Sequence, residues 1–220
     1  MNVELLSVTP HPENIPALAA KLTHSPSTPQ DLKKSSEKEL NTILKHVLRV
    51  GHTSIVEHTS FTFAVSEVSR SLTHQLVRHR IASYAQQSQR YVNLMKPQYV
   101  IPPKIHKNEK MKDAYIQTMD EIWAQYNQLL KMGIPAEDAR YVLPNATFTN
   151  IIVTMNARAL LNFFELRCCL HAQWEIRELA QKMLKLVKKK APIIFKNAGP
   201  TCKTKGYCQE EKTDCPLYPK

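Results

Sequence analysis

The pattern of apolar and polar positions changes period several times along the chain, and each change marks an element. Leu40, Ile43, Leu44, Val47 and Leu48 recur at three- and four-residue intervals, so residues 36–49 read as an amphipathic helix. Gly51 follows the last periodic residue, where a helix stop belongs. Phe61-Thr62-Phe63-Ala64-Val65 alternates with period two and predicts a strand. Ser66 or Ser69 is placed to cap a following helix that runs to about Arg80. A polar irregular stretch, 81–93, and a proline-marked segment, Pro97 to Pro103, come next. A long helix is then predicted over Glu109–Met132, stopped by Gly133 and Pro135, with a short one at Ala136–Tyr141 that breaks before Pro144. Thr147–Met155 is β-branched and alternating, a second strand. Asn156 caps a helix to about Leu170, and another covers Trp174–Lys190. Residues 1–30 are Pro-, Ser- and Thr-rich with one short amphipathic piece, Ile15 to Leu22. This is an α+β chain, mostly helical with a small sheet. Without repeats or linkers it reads as a single domain over 1–220, residues 192–220 being a basic, cysteine-containing C-terminal extension.

Composition narrows the chemistry. Only four of the 220 residues are glycine, at 51, 133, 199 and 206, too far apart for any G-x-G-x-x-G or G-x-x-x-x-G-K-[ST]. Phosphates must therefore be bound mainly by side chains. The formal charge of +11 is concentrated: residues 182–220 hold ten lysines against three acids, a net +7, and leave +4 for the rest. Lys188-Lys189-Lys190 reads first as a solvated helix end that complements the dipole, with nucleic-acid or acidic partners as the competing reading. A basic cytoplasmic nucleic-acid-binding protein is thus the alternative class. It would want aromatics interleaved with the cations, and only Tyr84 and Tyr91 qualify. The N-terminus lacks a basic signal-peptide region, no apolar run is long enough to span a bilayer, and the five cysteines are odd in number without a C-x-x-C pair. A cytoplasmic protein that binds neither membrane nor nucleic acid is the expectation. Cys202, Cys208 and Cys215 are spaced too widely for a usual zinc pair, so reduced thiols rather than a metal are expected there, and Cys168-Cys169 are read as small apolar packing residues.

The sharpest segment is Arg78-His79-Arg80-Ile-Ala-Ser83-Tyr-Ala-Gln86-Gln87-Ser88-Gln89-Arg90-Tyr91. It concentrates three arginines, a histidine and three glutamines, with no acid among them. Arg78, His79 and Arg80 finish a helix favourably at its negative end, but that leaves the donor-rich run after them unexplained. Unpaired guanidinium groups favour planar bidentate anions, phosphate above all. Farther on, at 100° per residue, Arg158, Asn162 and Glu165 share one side of a helix, while Leu160, Phe163 and Arg167 share the other. That puts an arginine on an apolar stripe, where it must find a partner.

Arg78-His79-Arg80, seven residues and then Ser88 resembles the signature of the flavin-dependent thymidylate synthases, and Ser83, Arg90 and Tyr91 fit its extended form. The resemblance runs over about residues 51–180. It includes Gly51-His52-Thr53-Ser54-Ile55-Val56-Glu57-His58 and the block Asn156-x-Arg158, Asn162, Arg167, His171, Gln173 and Trp174-Glu175. It implies reductive methylation of dUMP to dTMP, with methylenetetrahydrofolate as carbon donor and NADPH-reduced FAD as hydride donor, in a homotetramer. By the same resemblance Ser54, Arg78, His79, Arg80, Gln86, Asn156, Arg158, Asn162 and His171 hold the flavin cofactor. Gln75, Arg78, Gln86, Gln87, Ser88, Gln89, Arg90, Arg140 and Arg167 hold the nucleotide, and Arg167 activates the pyrimidine. Glu57 looks like a structural residue of the cofactor shell. No metal is expected, since the two histidines of the 52–58 segment form no H-E-x-x-H. Ala85 and Gln86 depart from the fuller motif, at the cost of one side-chain hydrogen bond and one charge. Ser88 has no base adjacent in sequence, which favours a hydrogen-bonding over a nucleophilic role.

Overall fold

A computed structural model describes residues 1–219. In chain order the elements are β1 (Asn2–Val8), α1 (Asn14–Leu22), α2 (Pro29–Leu32), α3 (Glu37–Arg49), a 3-10 turn (Thr53–His58), β2 (Ser60–Ser69), α4 (Arg70–Leu76) and β3 (Ser83–Gln86). They continue with α5 (Pro103–His106), α6 (Glu109–Lys131), α7 (Ala136–Ala139), a second 3-10 turn (Arg140–Val142), β4 (Phe148–Asn156), α8 (Ala157–Arg167), α9 (Trp174–Lys190) and α10 (Thr201–Thr204). Helix accounts for about 48% of the chain and the sheet has four antiparallel strands, which is the mostly helical α+β class that the periodicity predicts.

Local signals explain most boundaries. Ser36, Ser69, Asn108 and Asn156 cap α3, α4, α6 and α8, each accepting a backbone N–H of the first turn. Gly51 and Gly133 follow α3 and α6 at φ +84° and +85°, a conformation that costs glycine nothing. Lys188, Lys189 and Lys190 fall in the last turn of α9, next to its negative end.

Four expectations are corrected. The N-terminal segment contains strand β1, and the irregular stretch 81–93 contains strand β3. In the sheet order β1-β2-β4-β3 these are the two edge strands. Neither contains a buried residue; β3 has only four residues, and the alternation of β1 is broken at Leu5-Leu6, so neither carries a sustained strand pattern. Helix α4 ends at Leu76, not Arg80, so Arg78, His79 and Arg80 lie in the turn beyond it and do not cap its end. Helix α8 ends at Arg167, short of Leu170.

Strand β2 is longer than its alternation suggests. Phe61, Phe63 and Val65 are buried, and strict alternation would bury Glu67 next. Glu67 instead takes φ +58° and is exposed, and the phase slips by one so that Val68 reaches the core. Its N–H donates to the Asn150 side-chain oxygen (3.3 Å).

The residues group into two interleaved units. One comprises Met1–Asn2, Val65–Arg78 and Tyr84–Ile152, the other Val3–Ala64, His79–Ser83 and Val153 onward. The first buries Val68, Leu72, Leu76, Met119, Trp123 and Tyr126. Its proline-marked segment is fastened to α6, with Trp123 Nε1 donating to Leu94 O (2.8 Å) and the Tyr115 hydroxyl to Val100 O (3.0 Å). The second unit buries Leu44, Phe61, Phe163, Phe164 and Ile176. Phe195 joins this core, edge-on to Phe61 and Phe164 at centroid distances of 5.5 and 5.9 Å. The segment after α9 is therefore built into the core through Phe195, and Glu13 accepts hydrogen bonds from the N–H groups of Ile193 and Ile194.

Candidate active site

In the second unit the site is built on α8 and the 3-10 turn. Asn156 is the cap of α8, its Oδ1 accepting the Ala159 N–H at 2.8 Å. In the first turn of the helix, Arg158 forms an ion pair with Glu57, which the turn Thr53–His58 presents. Arg158, Asn162 and Glu165 line a groove of about 1260 Å³ together with Lys45, Arg49 and Lys205, as the helical wheel predicts for one polar side. Leu48, Leu161 and Ile193 supply its apolar surface. Thr53 lines the groove, and the exposed Ser54 follows it in the same turn.

On the other side of α8, Leu160 and Phe163 are fully buried while Arg167, at the helix end, is half-buried. The partner its position demands is His79. Arg167 Nε donates to His79 Nε2 at 3.1 Å, and the imidazole stacks edge-on against Phe163 at 4.9 Å. Burial, reinforced by the Arg167 charge, pushes the His79 pKa down to about 4. The ring is thus neutral near pH 7, with Nε2 as acceptor and its proton on Nδ1. Among the described residues no carboxylate stands within ion-pair distance of Arg167, so its charge is held but not neutralised.

In the first unit, Gln75 is half-buried on α4, and Arg78 is exposed in the turn after it. Gln86 donates from Nε2 to Thr73 Oγ1 of α4 and Thr149 Oγ1 of β4, both at 3.1 Å, so its amide donors are committed within the fold. Gln87 Oε1 accepts from Asn150 Nδ2 (3.0 Å), and Ser88 Oγ accepts the Arg90 N–H (3.1 Å). The expectation that the arginine-rich loop lacks acid partners is corrected at Arg90, whose Nε donates to Glu137 at 2.8 Å. That acid lies 47 residues onward and is brought near only by tertiary folding. Arg140 donates to the Glu137 carbonyl at 2.9 Å.

Arg70 is a cation that sequence reasoning missed. It is half-buried, and burial first, then the Arg140 charge, lowers its guanidinium below the ordinary value. An anion bound beside Arg70 would relieve that repulsion. A local signal existed, because an arginine directly after a capping serine sits at the positive end of a helix, where a cation is disfavoured. Arg80 is exposed beside His79 in the turn. His171 is exposed and lines a different pocket of the second unit, described below.

Fold and site together define an α+β protein whose candidate site is lined by arginine and lysine side chains rather than glycine-rich backbone. Residues 4–193 match the family model described as "Thymidylate synthase complementing protein". The flavin-dependent thymidylate synthase of Clostridium tetani is 49% identical over 98% of this chain and 93% of its own length. That of Geobacter sulfurreducens is also 49% identical, over 98% and 94%, and that of Saccharolobus solfataricus 45%, over 92% and 78%. The crystal structure of a UMP/dUMP methylase, PolB from Streptomyces cacaoi, bound with 5-Br dUMP, shares the fold at a TM-score of 0.77. It is 24% identical, covering 89% of this chain and 93% of that one. The chain belongs to the flavin-dependent thymidylate synthase family.

The donor set fits the flavin nucleotide that the family name requires. The groove over α8 offers Lys45, Arg49, Arg158 and Lys205 to a pyrophosphate, Asn162 to polar ring or ribose atoms, and Leu48, Leu161 and Ile193 to an apolar ring.

Proposed function

We propose that this chain forms dTMP from dUMP in the cytoplasm as a homotetramer, with methylenetetrahydrofolate as carbon donor and NADPH as reductant. The observation that carries this reading is the Arg167–His79 pair, a guanidinium held in place by a neutral imidazole. The uracil ring is a poor carbon nucleophile and must be polarised. A guanidinium whose charge no carboxylate cancels stabilises negative charge developing on the ring carbonyl and imide, and it needs no reorganisation because it is already oriented. His79 keeps its proton on Nδ1 and its Nε2 lone pair on Arg167, which fixes the side chain without neutralising it. Arg70, Arg78 and Arg140 receive the nucleotide phosphate, Gln75 and the 87–89 segment orient the nucleotide, and Ser88 serves as a hydrogen-bonding group. Ser88 Oγ is committed to a backbone N–H, and no base contacts it, which supports that role over a nucleophilic one. Ser54, Arg158 and Asn162 hold the flavin, which supplies the hydride when bound. Self-association finds support in Ile81, Tyr91 and Tyr141, large apolar side chains that are 72%, 78% and 83% exposed.

The purified protein should be yellow, and dUMP should perturb its flavin spectrum. Failure to take up FAD under reconstitution would reject the reading. Light scattering checks the fourfold mass.

A further inference from the structure

Four of the five cysteines line one cavity. Cys169 comes from the bend just after α8, and Cys202, Cys208 and Cys215 come from the tail after α9. The cavity is small, about 40 Å³. All four thiols are free and only part-buried. Burial, and then the neighbouring Cys169, Cys208 and Cys215, raise the pKa of the Cys202 thiol, so these sulfurs sense one another electrostatically. Cys168, one residue from Cys169, behaves differently. It is buried, absent from the cavity lining, and its thiol is pushed up to about 11 mainly by burial, as expected of an inert packing residue.

We propose that Cys169, Cys202, Cys208 and Cys215 bind one zinc ion and thereby fasten the tail to the end of α8. The spacing within the tail argued against zinc because it lacks a tight cysteine pair, but the fourth sulfur arrives from another element. Zinc needs four ligands in a tetrahedron about 2.3 Å from each sulfur. Binding converts four S–H groups to thiolates and releases four protons to solvent, leaving a zinc tetrathiolate of charge −2. Among the described residues no three His, Cys, Asp or Glu side chains already stand at coordinating distance, so the ion draws the sulfurs together as it binds. Lys203 and Lys212 share the tail with the three cysteines, and their positive charge partly offsets that of the tetrathiolate. His171 also lines the cavity, but four sulfurs leave zinc no open position for it.

The test uses full-length, flavin-loaded protein purified under reducing conditions. Elemental analysis should find one zinc per chain. After exchange for cobalt(II), the ligand-field absorption of a tetrahedral tetrathiolate should appear to the red of the flavin bands. The Cys208→Ser/Cys215→Ser double variant should lose both signals, whereas Cys168→Ser and His171→Ala should retain them. Flavin content and dTMP formation, measured on the same samples, report separately on the catalytic reading. The proposal is overturned by wild-type protein that retains no zinc and gives no cobalt spectrum, or by five thiols still freely titratable with equimolar zinc present. A disulfide among these cysteines in the reduced preparation, bound iron and sulfide in place of zinc, or loss of the signal in His171→Ala would overturn it as well.

Discussion

Arg167 donates its Nε–H to Nε2 of His79 across 3.1 Å, so a cation on the half-buried end of α8 is held by a neutral ring rather than by a carboxylate. A carboxylate there would hold the guanidinium equally well but cancel the charge that the proposed role of Arg167 requires. Arg167→Ala is therefore expected to lose about 10²- to 10³-fold in kcat, the usual cost of removing one preorganised donor. Flavin content should remain near that of the parent protein. Steady-state kinetics and flavin absorbance separate the two effects, and full activity in the variant would refute the assigned role.

The low pKa of His79 has a pH signature with a definite sign. Its folded value of about 4 lies below the ordinary 6.5 because burial and the Arg167 charge disfavour the protonated ring. The unfolded chain therefore takes up this proton first, so the contribution from His79 is complete above pH 6.5 and is lost as pH falls toward 4. Protonation also turns Nε2 from acceptor to donor and ends its bond to Arg167. The imidazole followed by NMR should titrate near pH 4, and His79→Gln should flatten the pH dependence of Tm between 6.5 and 4. A midpoint close to 6.5 would mean that the ring does not hold Arg167.

Asn156 caps α8 and is proposed to bind the flavin as well, and one substitution can separate the two roles. Its Oδ1 caps α8, which Asp can do equally well. Toward an anionic cofactor, however, Asp replaces a donor with a negative charge. Asn156→Asp is expected to leave Tm almost unchanged while weakening flavin binding about tenfold or more, since about 1.4 kcal/mol corresponds to tenfold. Asn156→Ala should cost about 1 kcal/mol of stability through the lost cap. If both variants lower Tm alike and leave flavin affinity intact, Asn156 is only a cap.

The Glu57–Arg158 pair is about half-exposed on both sides, and pairs of this kind contribute less than about 1 kcal/mol to stability. Glu57→Gln should accordingly leave Tm within experimental scatter. Arg158→Ala should weaken flavin about tenfold or more, the worth of a hydrogen bond to a charged group at about 1.5–3 kcal/mol. Equilibrium dialysis of FAD against the two variants distinguishes a cofactor residue from a surface ion pair.

Glu67 provides a test of the fold alone. A non-glycine residue at φ +58° costs roughly 1–2 kcal/mol, and a β-branched one suffers more. Glu67→Gly should be neutral or mildly stabilising in urea unfolding, and Glu67→Val should be destabilising by roughly 1–2 kcal/mol beyond any change at a neighbouring position of β2.

The elements that pack an apolar face were legible because burial imposes a period on the residues. Helices α3, α6, α8 and α9 and the central strands β2 and β4 all follow from spacing and capping residues. Strands β1 and β3 did not, because an edge strand without a buried residue is defined by backbone hydrogen bonds to a neighbour distant in sequence. The slip at Glu67 was hidden for a related reason, since a change of register is fixed by the partner strand.

The candidate site divides in the same way. The sequence by itself determined which residue types carry the chemistry: scarce glycine excluded a backbone cradle for phosphate, and the arginine-rich loop and the polar side of α8 identified the replacements. It also determined that Arg167 needed a partner. Only the tertiary structure decided that the partner is the neutral His79, 88 residues away, that Glu137 neutralises Arg90, and that Arg70 crowds Arg140. It likewise decided that a cysteine just after α8 lines one cavity with three from the tail. The physical reason is common to all four: charge state and ligand competence depend on neighbours within a few ångströms and on exclusion of water, and neither is a property of residues adjacent along the chain.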